Sequence, residues 1–294
     1  MFAGVHTALV TPFNGHGHSI DTDAYCALID FQFENGISGV VPVGTTGESP
    51  TLSHEEHIRV IELAVQHTNK RGLVIAGTGS NSTDEAITLT QSAEKAGADA
   101  ALLVAPYYNK PSAEGLFQHF KLIADATELP LMLYSIPGRC GIEIGIETVA
   151  RLAEACPNIR AIKEAGGSAE RVSQLRAALS DDFEILSGDD SLTIPFMSLG
   201  ACGVVSVASN LIPAPLVEMV KAMSEQRLAD ALALHRRYYP LFSGFLKLDT
   251  NPVPIKTAMH LAGRCAPDLR LPMVPMAEGG VAELRDIMQS LGLV

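Results

Sequence analysis

The sequence predicts a (β/α)8 barrel, a TIM barrel of α/β class, followed by a C-terminal helical extension. Two observations carry this. Eight short apolar, β-branched-rich runs alternate with helically periodic segments, and the strand signals stop after about residue 215. The length of 294 residues suits one such barrel, which typically takes about 250 residues.

The strand runs fall at 4–10 (GVHTALV), 38–43 (SGVVPV), 73–78 (LVIAGT), 99–104 (DAALLV), 130–135 (PLMLYS), 159–163 (IRAIK), 183–187 (FEILS) and 202–207 (CGVVSV). Most are continuous rather than alternating, as strands buried on both faces of a parallel sheet should be. Helical periodicity is clear at 21–35, 54–69, 84–96, 114–126 and 147–155, with Gly36, Gly72 and Gly97 read as helix C-termini. An open doubly wound sheet is the competing architecture, because strand boundaries read from sequence are uncertain. Further helical patterns at 216–224, 227–247, 253–263 and 280–291 form the extension. The expected organisation is a catalytic barrel over 1–224 and a helical region over 225–294.

The net charge of −12 and the pI of about 5.2 argue against nucleic acid or a membrane surface as partner, since an acidic chain is repelled by phosphates. Five widely spaced cysteines with no CxxC fit reduced thiols. The N-terminal MFAGVHTALVTPF lacks the pattern of a secretory leader, and no apolar run is long enough to span a bilayer. The expectation is a cytoplasmic protein.

Active sites of such barrels gather at the C-terminal ends of the strands, so reactive residues that close a strand matter most. Lys163 closes the sixth run and by parity shares a face with Ile159 and Ala161. If that face lines the barrel, desolvation lowers its pKa and frees an amine that can form an imine with a ketone. The plainer alternative is a solvated lysine paired with Glu164, and from this strand alone it is the better bet. GTTGE (44–48) closes the second run, where Thr45 and Thr46 offer hydroxyls and amides to a carboxylate. It equally describes an ordinary strand-to-helix turn. Tyr134 closes the fifth run and could relay protons, and Arg139 could clamp a carboxylate. Taken alone, each is better read as a rim tyrosine with a buried ring and a surface arginine. Tyr107 and Tyr108 follow the fourth run, where loop packing or an oligomer contact explains them as well.

Other motifs fail. GTGSNS (77–82) lacks the third glycine of a dinucleotide fingerprint. His54 and His57 are three residues apart rather than the four of the zinc-protease helix, and Ser53 with Glu56 forms a capping box instead. No metal is expected.

The pieces together resemble the 4-hydroxy-tetrahydrodipicolinate synthase (dihydrodipicolinate synthase) family of pyruvate-dependent lyases. The matching segments are VTPF (10–13), GTTGES (44–49), GTGSN (77–81), APYYNKPS (105–112), YSIPGR (134–139), IKEAGG (162–167), SGDD (187–190), GVVSVASN (203–210) and NPVPIK (251–256). They span the chain. The resemblance implies Lys163 as the Schiff-base lysine. It implies a proton relay of Thr45, Tyr134 and Tyr108, the last reaching a neighbouring subunit. It also implies pyruvate carboxylate binding by Thr46 and the GTTGE backbone, semialdehyde carboxylate binding by Arg139, and pocket walls from the backbone of Gly188 and Val205. GTTGE with PGR points to condensation of pyruvate with L-aspartate 4-semialdehyde rather than to lyases of sugar acids or hydroxyproline-derived keto acids, which remain the alternative. A non-catalytic keto-acid binder is a distant third reading.

The departures are Ser135 where Asn is usual, Cys140 where Thr is usual, and Pro50 where Ala is usual. The resemblance further implies a lysine effector site at Ser49, Pro50, His54, His57, Asn81, Glu85 and Tyr107. It implies a homo-oligomer, usually a dimer of dimers, and no metal or organic cofactor.

Overall fold

The computed structural model describes residues 1–294. Its strands in chain order are β1 (Gly4–Ala8), β2 (Phe13–Asn14), β3 (Ser19–Ile20), β4 (Gly39–Val41), β5 (Leu73–Gly77), β6 (Ala100–Val104), β7 (Leu131–Ser135), β8 (Ile159–Glu164), β9 (Glu184–Ser187) and β10 (Gly203–Ser206). β2 and β3 form a small antiparallel pair. The other eight run parallel and close on themselves, because β1 pairs with both β4 and β10. The closed ring rules out the open sheet.

The strands lie inside the expected runs but are shorter. The run 38–43 yields only Gly39–Val41, since Pro42 has no N–H to give the ladder and Val43 turns to a φ of 50°. The helices between strands start where polar caps stand. Ser53, Ser82, Ser112 and Ser168 each accept the N–H three residues on, and Ser53 with Glu56 completes the anticipated capping box. Such caps satisfy otherwise orphaned amides and contribute about 1 kcal/mol each. Gly97 is a left-handed helix cap as expected. Gly72 is not: that helix ends at Thr68 and is capped by left-handed Asn69. At Gly72 a Cβ would instead strike the Ser38 carbonyl oxygen at 2.6 Å, so the position serves close strand packing.

Three apolar layers hold the fold. Inside the ring, Phe2, Val41, Ile75, Leu102, Met132, Ala161, Leu186 and Val205 pack together with Tyr134. Outside it, one core joins strand residues such as Val5, Val40 and Val204 to the C-terminal helices through Phe242, Met259, Leu284 and Met288. A second outer core lies against β7 and β8. Ile159 belongs to that outer layer, contrary to the parity expectation. The β7–β8 register skips Arg160, and this bulge turns Ile159 outward while leaving Ala161 and Lys163 inward.

The C-terminal helices Pro213–Ser224, Leu228–Lys247, Val253–Leu261 and Glu278–Ser290 confirm the helical extension. The turn between the second and third of them carries Asn251 back to the barrel mouth. No helix is long and apolar enough to cross a membrane.

Candidate active site

β7 and β8 place Tyr134 and Lys163 opposite each other in register. Both side chains are turned inward by the strand pleat, and both line a cavity of about 470 Å³ at the C-terminal mouth. Lys163 is only 5% exposed. Its Nζ lies 4.2 Å from the centre of the Tyr134 ring. Glu164 is not its partner: that carboxylate is buried and binds Arg171 at 2.8 Å, on the outward side of the strand. Burial therefore dominates the amine and lowers its pKa from 10.5 to about 7. The Asp190 charge opposes that fall and Arg139 adds to it. Burial likewise holds the Tyr134 phenol above its usual range.

The stem of Lys163 needs room. A Cβ at Gly188 would meet Lys163 Cε at 3.0 Å and Ala165 Cβ at 2.7 Å, so only glycine lets this strand end pass the lysine. Asp190, two residues on, is buried in the same wall. Its Oδ2 accepts the backbone N–H groups of Val207 and Ala208 at 3.1 and 2.9 Å, while Oδ1 has no partner. Burial pushes this carboxyl up to about 6.

Thr45, Thr46 and Arg139 share the cavity. Asn251 ties two of them together. Its side-chain amide donates to Thr46 Oγ1 at 3.0 Å, and its backbone carbonyl accepts Arg139 Nη2 at 3.0 Å. The cavity also takes in Ser49, Pro50, His54, His57, Glu85 and Tyr107, so the expected effector residues open into the same space as Lys163. His54 Nε2 meets Glu85 Oε1 at 2.8 Å. His57 is buried with neither ring nitrogen partnered, and burial lowers its pKa to about 4, which keeps it neutral.

Three expected residues lie elsewhere. Tyr108 is 90% exposed, held at a φ of 73°, and stands outside the cavity. Asn81 stands at the edge, where its amide donates to the Tyr107 carbonyl at 3.2 Å. Val205 is sealed in the barrel interior, and Val207 reaches the cavity instead. Of the three departures, Pro50 lines the cavity and the other two have distinct places. Ser135 Oγ accepts the Ile144 N–H at 3.3 Å, and Cys140 lines the wall beside Arg139. Asp190 and Asn251 were not singled out from the sequence. Their sole signals there were the second acid of SGDD and the start of NPVPIK. No group of three or more His, Cys, Asp or Glu is placed to hold a metal ion.

A closed parallel barrel with a dehydrated amine at its C-terminal mouth defines a barrel enzyme built around a lysine. The chain belongs to the dihydrodipicolinate synthetase family, which matches residues 1–291. It is 47% identical over 294 residues, the whole of both chains, to a 4-hydroxy-tetrahydrodipicolinate synthase from Endomicrobium trichonymphae. The solved structure of the 4-hydroxy-tetrahydrodipicolinate synthase from Methylacidiphilum fumariolicum SolV superposes with a TM-score of 0.97 at 51% identity, covering 99% of this chain and 96% of that one. A Cyanidioschyzon merolae member solved with lysine bound superposes at 0.96 and 42% identity, covering 100% of this chain and 99% of that one. The enzyme is thus a lyase.

Proposed function

We propose that the enzyme condenses pyruvate with L-aspartate 4-semialdehyde through a Schiff base on Lys163, giving 4-hydroxy-tetrahydrodipicolinate for lysine and diaminopimelate biosynthesis. The observation that carries this is the dry amine with a pKa of about 7 beside Tyr134. At neutral pH a large share of Lys163 is unprotonated and can attack the ketone carbon of pyruvate. Water leaves and a protonated imine forms. Loss of a methyl proton gives an enamine, whose terminal carbon adds to the semialdehyde carbonyl. The amine of that substrate then displaces Lys163 and closes the ring.

Thr46 and the GTTGE backbone hold the pyruvate carboxylate. Arg139 at the mouth takes the semialdehyde carboxylate, its guanidinium already oriented by the Asn251 carbonyl. Tyr134 and Thr45 share the cavity and carry protons during imine formation and ring closure. No hydrogen bond joins them in the single chain, and the exposed Tyr108 completes the relay from a neighbouring subunit of a homo-oligomer, taken as a dimer of dimers. Gly188 gives the lysine stem its space. The protonated imine is the electron sink that allows loss of the methyl proton, so the scheme needs no metal or organic cofactor.

Ser49, Pro50, His54, His57, Asn81, Glu85 and Tyr107 bind lysine as a feedback effector, with Glu85 and the two histidines suited to the charged ends of an amino acid. All five cysteines are unbonded, in keeping with a cytoplasmic location. A panel of aldehydes at constant pyruvate tests the substrate assignment. L-Aspartate 4-semialdehyde should turn over far faster than sugar-derived aldehydes, and a preference for the latter would overturn it.

A further inference from the structure

The GTTGE loop is gripped from outside the cavity. Its backbone enters the left-handed region at Val43 and Glu48, with φ of 50° and 57°. A β-branched residue and a glutamate are costly there, and such conformations persist only where the surroundings over-determine them. Glycine would relieve position 48. The residue present is instead a glutamate whose side chain is 2% exposed.

That side chain is fully engaged. Oε1 accepts Lys256 Nζ at 2.5 Å, and Oε2 accepts the Arg270 N–H at 3.0 Å. Lys256 is wholly buried. It donates also to the Asp268 carbonyl at 2.8 Å and lies 4.1 Å from the centre of the Phe13 ring. Arg270 extends the grip, with both terminal nitrogens on Glu56 at 2.6 Å and a further bond to the Thr51 carbonyl. Neither Glu48 nor Lys256 lines the cavity. The backbone N–H of Glu48 donates to the Thr45 carbonyl at 3.1 Å, and those of Gly47 and Ser49 donate to the Gly44 carbonyl. A pull on the Glu48 side chain therefore reaches Thr45 through that bond, and Thr46 through the chain between them.

We propose that Lys256 is a positioning residue for the reaction, holding Glu48 so that the left-handed turn presents Thr45 and Thr46 to the pyruvate carboxylate. This rests on the reading of GTTGE as the carboxylate site. A buried ammonium is suited to the task, because a loop ordered in advance loses less freedom when substrate arrives. Loosening it weakens capture of pyruvate and leaves the chemistry at saturation largely intact.

The test is borohydride trapping of the pyruvate imine at graded pyruvate, read by intact mass, on the full-length protein. Glu48→Gln/Lys256→Met removes both charges at nearly constant volume, so no orphaned ion remains. Glu48→Gln alone is the mild variant: it keeps the side-chain volume and Lys256, and its one carbonyl oxygen can retain one of the two accepted hydrogen bonds. In the double variant half-saturating pyruvate should rise about 10- to 50-fold, with the trapped fraction at saturation unchanged. The mild variant should show a rise of about threefold or more. A general loss of structure would lower the plateau instead. An unchanged half-saturation in a folded double variant overturns the proposal. If the double variant fails to fold, the mild variant decides: a shift supports the proposal and no shift overturns it. Failure of the unaltered enzyme to trap pyruvate at Lys163 overturns the reading of the site itself, and the proposal with it.

Discussion

Lys163 and Tyr134 stand as register partners on adjacent strands, the lysine amine 4.2 Å from the centre of the aromatic ring. The ring face attracts a cation by roughly 0.5–2 kcal/mol. Burial works against the charge and moves the pKa from 10.5 to about 7, which at 1.36 kcal/mol per unit amounts to about 5 kcal/mol. Burial wins, so the free amine is available at neutral pH. The ring then faces whichever cation forms on that nitrogen.

A pH profile follows from that balance. Imine formation at subsaturating pyruvate should rise about tenfold per pH unit below pH 7 and level off above it, as Lys163 loses its proton near 7. Rapid-mixing rates between pH 5.5 and 9.5 check this. A rise that continues past pH 9 would mean that the amine is not desolvated.

Stability should respond to the same group. The unfolded chain keeps Lys163 protonated up to about 10.5, whereas the fold keeps it so only below about 7. The fold thus binds fewer protons between those values, and stability rises with pH across that window. Lys163→Met should abolish turnover and stabilise the protein at pH 7 by roughly 2–5 kcal/mol. The gain should be largest at and below pH 7 and shrink towards pH 10. Thermal melts of the two proteins at pH 7 and pH 9.5 measure it.

Arg139 is exposed at the mouth, bonded to a carbonyl rather than to an acid. Arg139→Ala should cut kcat/KM for L-aspartate 4-semialdehyde by roughly 100-fold, about 2.7 kcal/mol. Pyruvate imine formation should stay within about threefold, because the two carboxylates bind at different places. Separate steady-state and trapping assays distinguish these effects.

Six of the seven proposed effector residues share the catalytic cavity, all but Asn81, and His54 already pairs with Glu85. Lysine in the millimolar range should inhibit turnover, and Glu85→Ala should raise the half-inhibiting concentration by about tenfold or more. Coupled assays on both proteins measure this. Insensitivity of the unaltered enzyme would remove the effector site.

The barrel was legible because its strands are continuous apolar runs, which only a sheet covered on both faces requires. Lys163, Tyr134, Thr45, Thr46 and Arg139 stood out as candidates because each closes or follows a strand, where barrel chemistry gathers, but position alone favoured ordinary rim residues and only the family resemblance selected them. What was hidden depends on approach through space. The bulge that turns Ile159 outward leaves no mark in residue type. Asn251 and Lys256 act on Thr46 and Glu48 some two hundred residues earlier in the chain, after the C-terminal helices fold back over the mouth. Asp190 is notable only once its wall is known to face the lysine. The part assigned to Tyr108 needs a second chain.

The central claim is that one buried amine condenses with a keto acid, and reductive trapping reads it most directly. Incubation with pyruvate and borohydride, followed by intact mass and peptide mapping, should add a single reduced pyruvate on the peptide that carries Lys163 and none in Lys163→Met. No adduct, or an adduct on another lysine, would contradict the account.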